Sequence, residues 1–353
     1  MLKPIEFRSD TSTLPTEAML EAMRNAELGN DSWGEDPTVN RLQEMAADIT
    51  GKEAALFLPS GTMANLLAAM THAEGKPWGS EVIVSNLAHT YWYEAAGLSR
   101  ICGLSVMPVA TADGHLTDKD VHQSIRPKSK YAPRSLMVWM ENSCMLAGGT
   151  TCSVEQMKEV YEAAKAYGLL VHLDGARVFN ASVAMNVAVS EIARWSDSLM
   201  FCISKGLSCP MGSILCGPRE FIEKAIRNRI MLGGGMRQAG VLAAAGIVAL
   251  ESMVDRLRED HSNARRLAEG FDCLAPGSVS ENEVQTNIVR VRPQVAGIEP
   301  GELVDALWQH DIRAMVVPGN VVRFVVHRHI AEGDVEKTLS IVAELFTKSK
   351  DKK

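Results

Sequence analysis

Three short stretches of the chain carry side chains whose types and order could do chemistry. In Pro59-Ser60-Gly61-Thr62-Met63-Ala64-Asn65 an apolar run ends at Leu58 and helical spacing begins after Gly61. Glycine admits close backbone approach, hydroxyls flank it, and a helix start offers free N–H groups at a positive dipole end, as a phosphate requires. In Val171-His172-Leu173-Asp174-Gly175-Ala176-Arg177 an apolar run stops at an acid, a glycine and a base. Open α/β sheets bind ligands at the carboxyl ends of their strands, where an aspartate can pair with a protonated ring nitrogen. In Phe201-Cys202-Ile203-Ser204-Lys205-Gly206 an apolar run ends in a single lysine. At the mouth of a crevice such an amine loses its proton more easily and can form a Schiff base. Taken singly, the three also read as a helix cap, a turn with an Asp–Arg pair and a solvated lysine. Taken in order they supply a phosphate site, an acid for a pyridine nitrogen and an imine-forming amine. Pyridoxal phosphate needs those three things.

The elements that must position these residues alternate. Apolar runs at 54–58, 81–85, 136–140, 169–173 and 198–203 read as buried parallel strands. Met63, Leu66, Leu67 and Met70 follow helical spacing, and a helix over 154–167 has Ser153 as its cap. Asp174 and Lys205 are 31 residues apart, about one βαβ unit. The alternation predicts an α/β fold with a doubly wound, mostly parallel sheet. After Gly233-Gly234-Gly235 the pattern changes to a long helical stretch over 237–271, bent along its length. Strand signals return at 287–291 and 321–326 around a helix at 302–310. Two domains are expected: a cofactor-binding large domain over 1–255, with the N-terminal segment included, and a small α+β domain over 256–353. Residues 348–353 read as a frayed tail.

Composition narrows the function. The chain has 353 residues, 46% of them hydrophobic and 22% charged, with a net charge of −7. These are ordinary values for a soluble globular protein. The charge argues against a nucleic-acid partner, which demands clustered Lys and Arg. The apolar run at 241–250 is shorter than the roughly 20 residues needed to span a bilayer, so no membrane role is expected. Cys102, Cys144, Cys152, Cys202, Cys209, Cys216 and Cys273 are scattered, odd in number and without a CxxC pair. They read as reduced thiols of a cytoplasmic protein rather than a disulfide framework or a zinc site. There is no GxGxxG, P-loop, HExxH or EF-hand loop, and no catalytic metal is expected.

The sequence resembles the L-threonine aldolase family of fold-type I, aspartate aminotransferase-like pyridoxal-phosphate enzymes. The resemblance covers nearly the whole chain. It rests on Arg8-Ser9-Asp10-Thr11, Gly34-Glu35-Asp36-Pro37-Thr38-Val39-Asn40, the Ser60, Asp174 and Lys205 stretches, and Gly233-Gly234-Gly235-Met236-Arg237-Gln238. It implies that Lys205 holds the cofactor, that Asp174 pairs with the pyridine nitrogen, and that His89 stacks on the ring and acts as a base. Ser60, Gly61 and Thr62 would hold the phosphate, with Arg177 also near the cofactor. Ser9, Arg177 and Arg323 would bind the substrate carboxylate, for which a guanidinium fork is suited. Arg237 would reach a neighbouring subunit's phosphate in a homotetramer of dimers with shared active sites. The implied reaction is retro-aldol cleavage of a β-hydroxy-α-amino acid to glycine and an aldehyde. An amino-acid racemase or β-eliminating lyase on the same scaffold is the alternative. A pyridoxal-binding protein without catalysis is a further reading, against which the intact Lys205, Asp174 and Arg323 argue.

The chain departs from the family pattern at four places. Trp33 stands where a tyrosine is usual, Tyr131 in the place of a histidine near the substrate hydroxyl, Cys144-Met145 in place of His-Asn, and Ile230 in place of a lysine. Trp33 and Tyr131 are expected at the substrate. If Trp33, Cys144 and Met145 line one pocket, that pocket has lost hydrogen-bonding capacity and should favour a side chain more apolar than that of threonine.

Overall fold

The computed structural model describes residues 4–279 and 284–350. Among these, the strands in chain order are β1 (Ile5–Glu6), β2 (Ala54–Leu58), β3 (Glu81–Ser85), β4 (Ser105–Val109), β5 (Ser135–Glu141), β6 (Leu170–Asp174), β7 (Ser198–Cys202), β8 (Ser213–Gly217), β9 (Ile288–Val291), β10 (Ile312–Arg313), β11 (Met315–Val317) and β12 (Val321–Val325). Seven of them form one sheet in the order β2-β8-β7-β6-β5-β3-β4. Pairing is parallel except on both sides of β8. The expectation that 54–58 pairs in parallel is therefore corrected: β2 runs with the other strands, but its sheet partner is the antiparallel β8.

Helices cover both faces of this sheet, which is why its strands are apolar on alternate and on intervening positions. Ala55, Phe57, Leu199, Phe201, Ile214 and Cys216 face one core. Leu56, Leu58, Met200, Cys202 and Leu215 face another, against helices Gly61–Ala73 and Arg219–Met231. In helix Gly61–Ala73 the predicted apolar stripe is only partly the buried one. Leu67 is buried, Met63, Leu66 and Met70 are half-buried, and the fully buried face also carries Asn65 and His72. Helix Val154–Ala166 begins at its expected Ser153 cap.

The predicted helical stretch over 237–271 is two helices, Gly240–Ser252 and Leu257–Leu274. The second packs in a separate apolar core with β9, β12 and the C-terminal helix. Ile5 and Phe7 belong to that core as well. β1 pairs in parallel with β10, and the Phe7 ring meets Phe324 edge-on. Ile5 and Phe7, expected within the large domain, thus pack in the second core, while Met19 of helix Glu17–Arg24 stays with the first. The C-terminal helix runs Glu332–Lys350 past the start of the expected frayed tail, and 351–353 lie outside the described residues.

Candidate active site

The strands β2, β3, β5, β6 and β7 all end on the same edge of the sheet, and the chemistry-bearing residues follow those ends. Asp174 closes β6 and is 1% exposed. Its Oδ1 accepts from the Ala176 backbone N–H at 3.0 Å and its Oδ2 from Asn65 Nδ2 at 2.8 Å. Its partners are thus neutral donors, which hold a carboxylate without neutralising it. Glu141 ends β5 in register with Asp174. It accepts the backbone N–H groups of His89 at 2.7 Å and Met145 at 3.0 Å. Complete burial, then the charge of Asp174, push the Glu141 carboxyl up to about 7.

His89 opens a short helix after β3. Its Nδ1 lies 3.0 Å from Glu94 Oε1. Burial disfavours the imidazolium, but the Glu94 hydrogen bond and the charges of Asp174 and Glu141 outweigh it and raise the His89 pKa. His89, Glu94 and Asp174 present ligand atoms within 4.8 Å of one another, a spacing a metal ion could bridge. The Asn65 amide nitrogen instead donates to both carboxylates, at 2.8 Å each, so a neutral donor already serves them.

Lys205 lies in the loop joining β7 to β8. Its carbonyl accepts from Thr13 Oγ1 and from the Ser208 N–H, both at 2.8 Å. Its ammonium charge is felt by Asp10. After β2, Ser60 caps helix Gly61–Ala73 by accepting the Met63 N–H at 3.2 Å. The N–H groups of Gly61 and Thr62 lie in the first turn, where no intrahelical acceptor exists. Gly61 has a packing reason to be glycine: a Cβ there would lie 2.8 Å from Cys202 Sγ and 3.0 Å from Met200 Cε. The missing side chain lets the helix start approach β7.

The expected carboxylate site is assembled differently from its sequence reading. Arg177 turns its fork onto Asp10, with Nε–Oδ2 at 2.8 Å and Nη2–Oδ1 at 2.6 Å, both residues buried. Asp10 is buried, yet the Arg177 charge, followed by Lys205, holds its carboxyl well below the usual range. One edge of the Arg177 guanidinium, Nε with Nη2, is therefore engaged by Asp10 rather than by Asp174, which leaves Nη1 outside that pair. Arg323, on β12, donates Nη2 to the Arg8 carbonyl at 2.9 Å, while its buried Nε has no acceptor. Burial and then the nearby Arg177 charge lower the Arg323 pKa. A buried cation with an unused N–H beside a second guanidinium is a place for an anion. Ser9 caps the turn Asp10–Ser12 between them.

Other expected site residues lie elsewhere. Trp33 is 75% exposed, in a turn fastened to the 236–240 segment. Ser32 Oγ donates to the Met236 carbonyl at 2.8 Å, and Arg237 Nη1 contacts Ser32 Oγ. Ile230 is exposed on the neighbouring helix. Tyr131 is 85% exposed and precedes β5, whose start is fixed by the Glu81 N–H to the Arg134 carbonyl at 2.7 Å. The seven residues of β5 rise about 20 Å, whereas three residues reach at most about 11 Å. Tyr131 cannot meet Asp174 or Lys205 of its own chain. Cys144 is buried with its Sγ 3.6 Å from the Leu87 carbonyl, and Met145 packs with Leu146, Ile288 and Val325 at the junction of the two cores. Trp33, exposed, and Cys144 and Met145, buried, do not line one pocket of the single chain.

Comparison with known proteins identifies the family. The family described as Beta-eliminating lyase matches residues 6–294. The low-specificity L-threonine aldolase of Escherichia coli K12 is 42% identical over 328 residues, covering 93% of this chain and 95% of that protein. Low-specificity L-threonine aldolase 1 of Arabidopsis thaliana is 41% identical, covering 96% of each. The chain belongs to the threonine aldolase family. A solved threonine aldolase from Leishmania major, 18% identical, superposes with a TM-score of 0.83 over 97% of this chain and all of that one, which shows the shared fold. Glu94, Glu141, Asn65 and Asp10 are hydrogen-bonded to His89, Asp174 or Arg177, and the sequence reading gave them no role. Glu141 had a signal, since it ends an apolar strand as Asp174 does.

Proposed function

We propose that this chain is a pyridoxal-phosphate-dependent aldolase that cleaves L-β-hydroxy-α-amino acids to glycine and an aldehyde. The observation that carries the reading is the convergence of Lys205, the buried Asp174 and His89 at one sheet edge, with the unpartnered Arg323 Nε near Arg177 and Asp10. The donor set fits the cofactor: an amine, a carboxylate held by neutral donors, and a helix start with free N–H groups. Lys205 is the amine that would hold the cofactor's aldehyde carbon, Asp174 would face its ring nitrogen, and Ser60, Gly61 and Thr62 its phosphate. When bound, pyridoxal phosphate supplies an electron sink for the pair released from the Cα–Cβ bond.

The chain's own residues do the rest. Arg323 takes the substrate carboxylate, with Ser9 beside it, and Arg177 acts by fixing Asp10 against the same site. His89 directs Nδ1–H at Glu94, which leaves Nε2 as the atom that takes the β-hydroxyl proton. As that O–H bond breaks, the aldehyde C=O forms and the Cα–Cβ bond breaks. Cα then receives a proton, giving glycine.

The proposal extends to assembly and location. Arg237, assigned to a neighbouring subunit's phosphate, is exposed in the single chain, as are Ile230 and Tyr131. That supports a homotetramer of dimers in which each site borrows from a partner. Seven free cysteines support a cytoplasmic setting. Among the described residues no helix is long and apolar enough to cross a membrane.

The test is incubation of the holoenzyme with L-threonine, L-allo-threonine and phenylserine. Glycine and the matching aldehyde in equal amounts are expected. Racemised amino acid, or ammonia with a keto acid and no glycine, would assign the alternative chemistry instead.

A further inference from the structure

We propose that Asn65 is a positioning residue that couples the ring-nitrogen acid to the stacking histidine by sharing one amide nitrogen between two carboxylates. Asn65 lies one turn into helix Gly61–Ala73 and is 1% exposed. Its Nδ2 donates to Asp174 Oδ2 and to Glu94 Oε1, each at 2.8 Å. The same Glu94 oxygen meets His89 Nδ1 at 3.0 Å. One –NH₂ group thus fixes the distance between the acid under the expected pyridine nitrogen and the carboxylate that orients the expected stacking ring.

The orientation of that amide follows from charge. A flipped Asn65 would point its carbonyl at two carboxylates, so its Oδ1 must face the other way. There it lies 3.4 Å from His172 Nε2. Burial pushes the His172 pKa well below its ordinary value, so the ring is neutral and carries one proton. Oδ1 can only accept, so that proton is on Nε2, and Nδ1 accepts from Ser198 Oγ at 2.8 Å. Ser198 then accepts from His72 Nε2 at 2.7 Å. Burial lowers His72 to about 4, so it too is neutral near pH 7. Every hydrogen along His72, Ser198, His172 and Asn65 points the same way, toward Asp174 and Glu94.

The device serves the Asp174 carboxyl with a neutral donor rather than a cation. A lysine or arginine at position 65 would neutralise the charge that the pyridine nitrogen needs. An amide serves the lone pair and leaves that charge available. By fixing Glu94 it also keeps the Nδ1–H of His89 directed away from the crevice. The inference rests on the proposed function, because Asp174 must face the ring nitrogen for the coupling to bear on catalysis.

The experiment compares Asn65→Leu and Asn65→Ala, both of which remove the –NH₂ group without adding a charge. Circular dichroism first establishes folding, and the alanine variant is used if the leucine variant does not fold. Two readouts are then taken. The dissociation constant for pyridoxal phosphate should rise about tenfold or more, the loss expected of one hydrogen bond to a charged group. In the cofactor-free protein, the His89 imidazole titration followed by NMR should move up by about half a unit or more. Glu94, Asp174 and Glu141 are the charged groups facing His89, and the first two lose their shared donor. A folded variant whose His89 titration stays within about 0.2 units of wild type would overturn the coupling, whatever its cofactor affinity. Failure of the wild-type protein to bind pyridoxal phosphate would instead strike the proposed function, and the cofactor-free titration would still decide the coupling.

Discussion

Lys205 stands three residues beyond β7, and Thr13 pins its backbone by a 2.8 Å hydrogen bond. Lys205→Ala should bind cofactor without its visible imine absorbance and should lose turnover; retention of both would reject the lysine's role. Glu141 gives a pH signature. Its carboxyl is raised to about 7, against about 4.3 for an unfolded glutamate. The folded protein therefore binds this proton more tightly than the unfolded chain does. The stability it contributes is complete below pH ~4.3 and is lost as pH rises through ~7, a change of a few kcal/mol. Glu141→Gln removes that loss. Unfolding curves of cofactor-free wild type and variant should diverge between pH 5 and 8, with the variant gaining relative to wild type as pH rises. Parallel curves would mean that Glu141 is ionised throughout. Lys205, Asp174 and Arg323 were legible in sequence because each interrupts or ends an apolar run, where a charge demands a partner. Glu94 and Asn65 were not. Glu94 lies in a short turn with no periodicity, and Asn65 occupies a helix face whose burial is disguised by its own polarity.

At the scale of elements, the approach of helix Gly61–Ala73 to β7 decides where the phosphate would sit. A Cβ at Gly61 would press on Cys202 Sγ, which is fixed by its strand, and on the more flexible Met200 Cε. Gly61→Ala should displace the helix start and cost about 1–3 kcal/mol. Cofactor affinity should fall with it. Unchanged thermal stability and affinity would show that the contact relaxes freely. The same elements mark the limits of sequence reading. All five predicted strands of the large sheet form, but β4 and β8 had no counterpart among them. β4 is an edge strand that contains Pro108 and is half-exposed, so it lacks the continuous apolar run of a buried strand. β8 follows β7 after a ten-residue loop and inserts antiparallel between β2 and β7. A local run of five residues carries no information about that direction.

In the whole molecule, Arg323 and Lys205 come from different cores, and the N-terminal segment ties them. Asp10 holds Arg177, Thr13 holds the Lys205 loop, and Phe7 is buried against β12. Arg237 is the exception, since it lies exposed, against Ser32, on the surface that carries Trp33 and Ile230. If each site takes Lys205 from one subunit and Arg237 from its neighbour, two defective chains can repair one another. Lys205→Ala should be inactive, and Arg237→Ala should bind cofactor weakly. In a hybrid dimer of the two variants, one site lacks both residues and the other has Lys205 from one chain and Arg237 from the other. Random pairing makes half of the dimers hybrid, so about a quarter of all sites should be wild type in composition. Co-expression followed by activity measurement at limiting cofactor should therefore recover up to roughly a quarter of wild-type turnover. Activity no greater than that of the Arg237→Ala chains alone would place lysine and arginine in the same subunit's site and leave the exposed Arg237 surface without a part in catalysis.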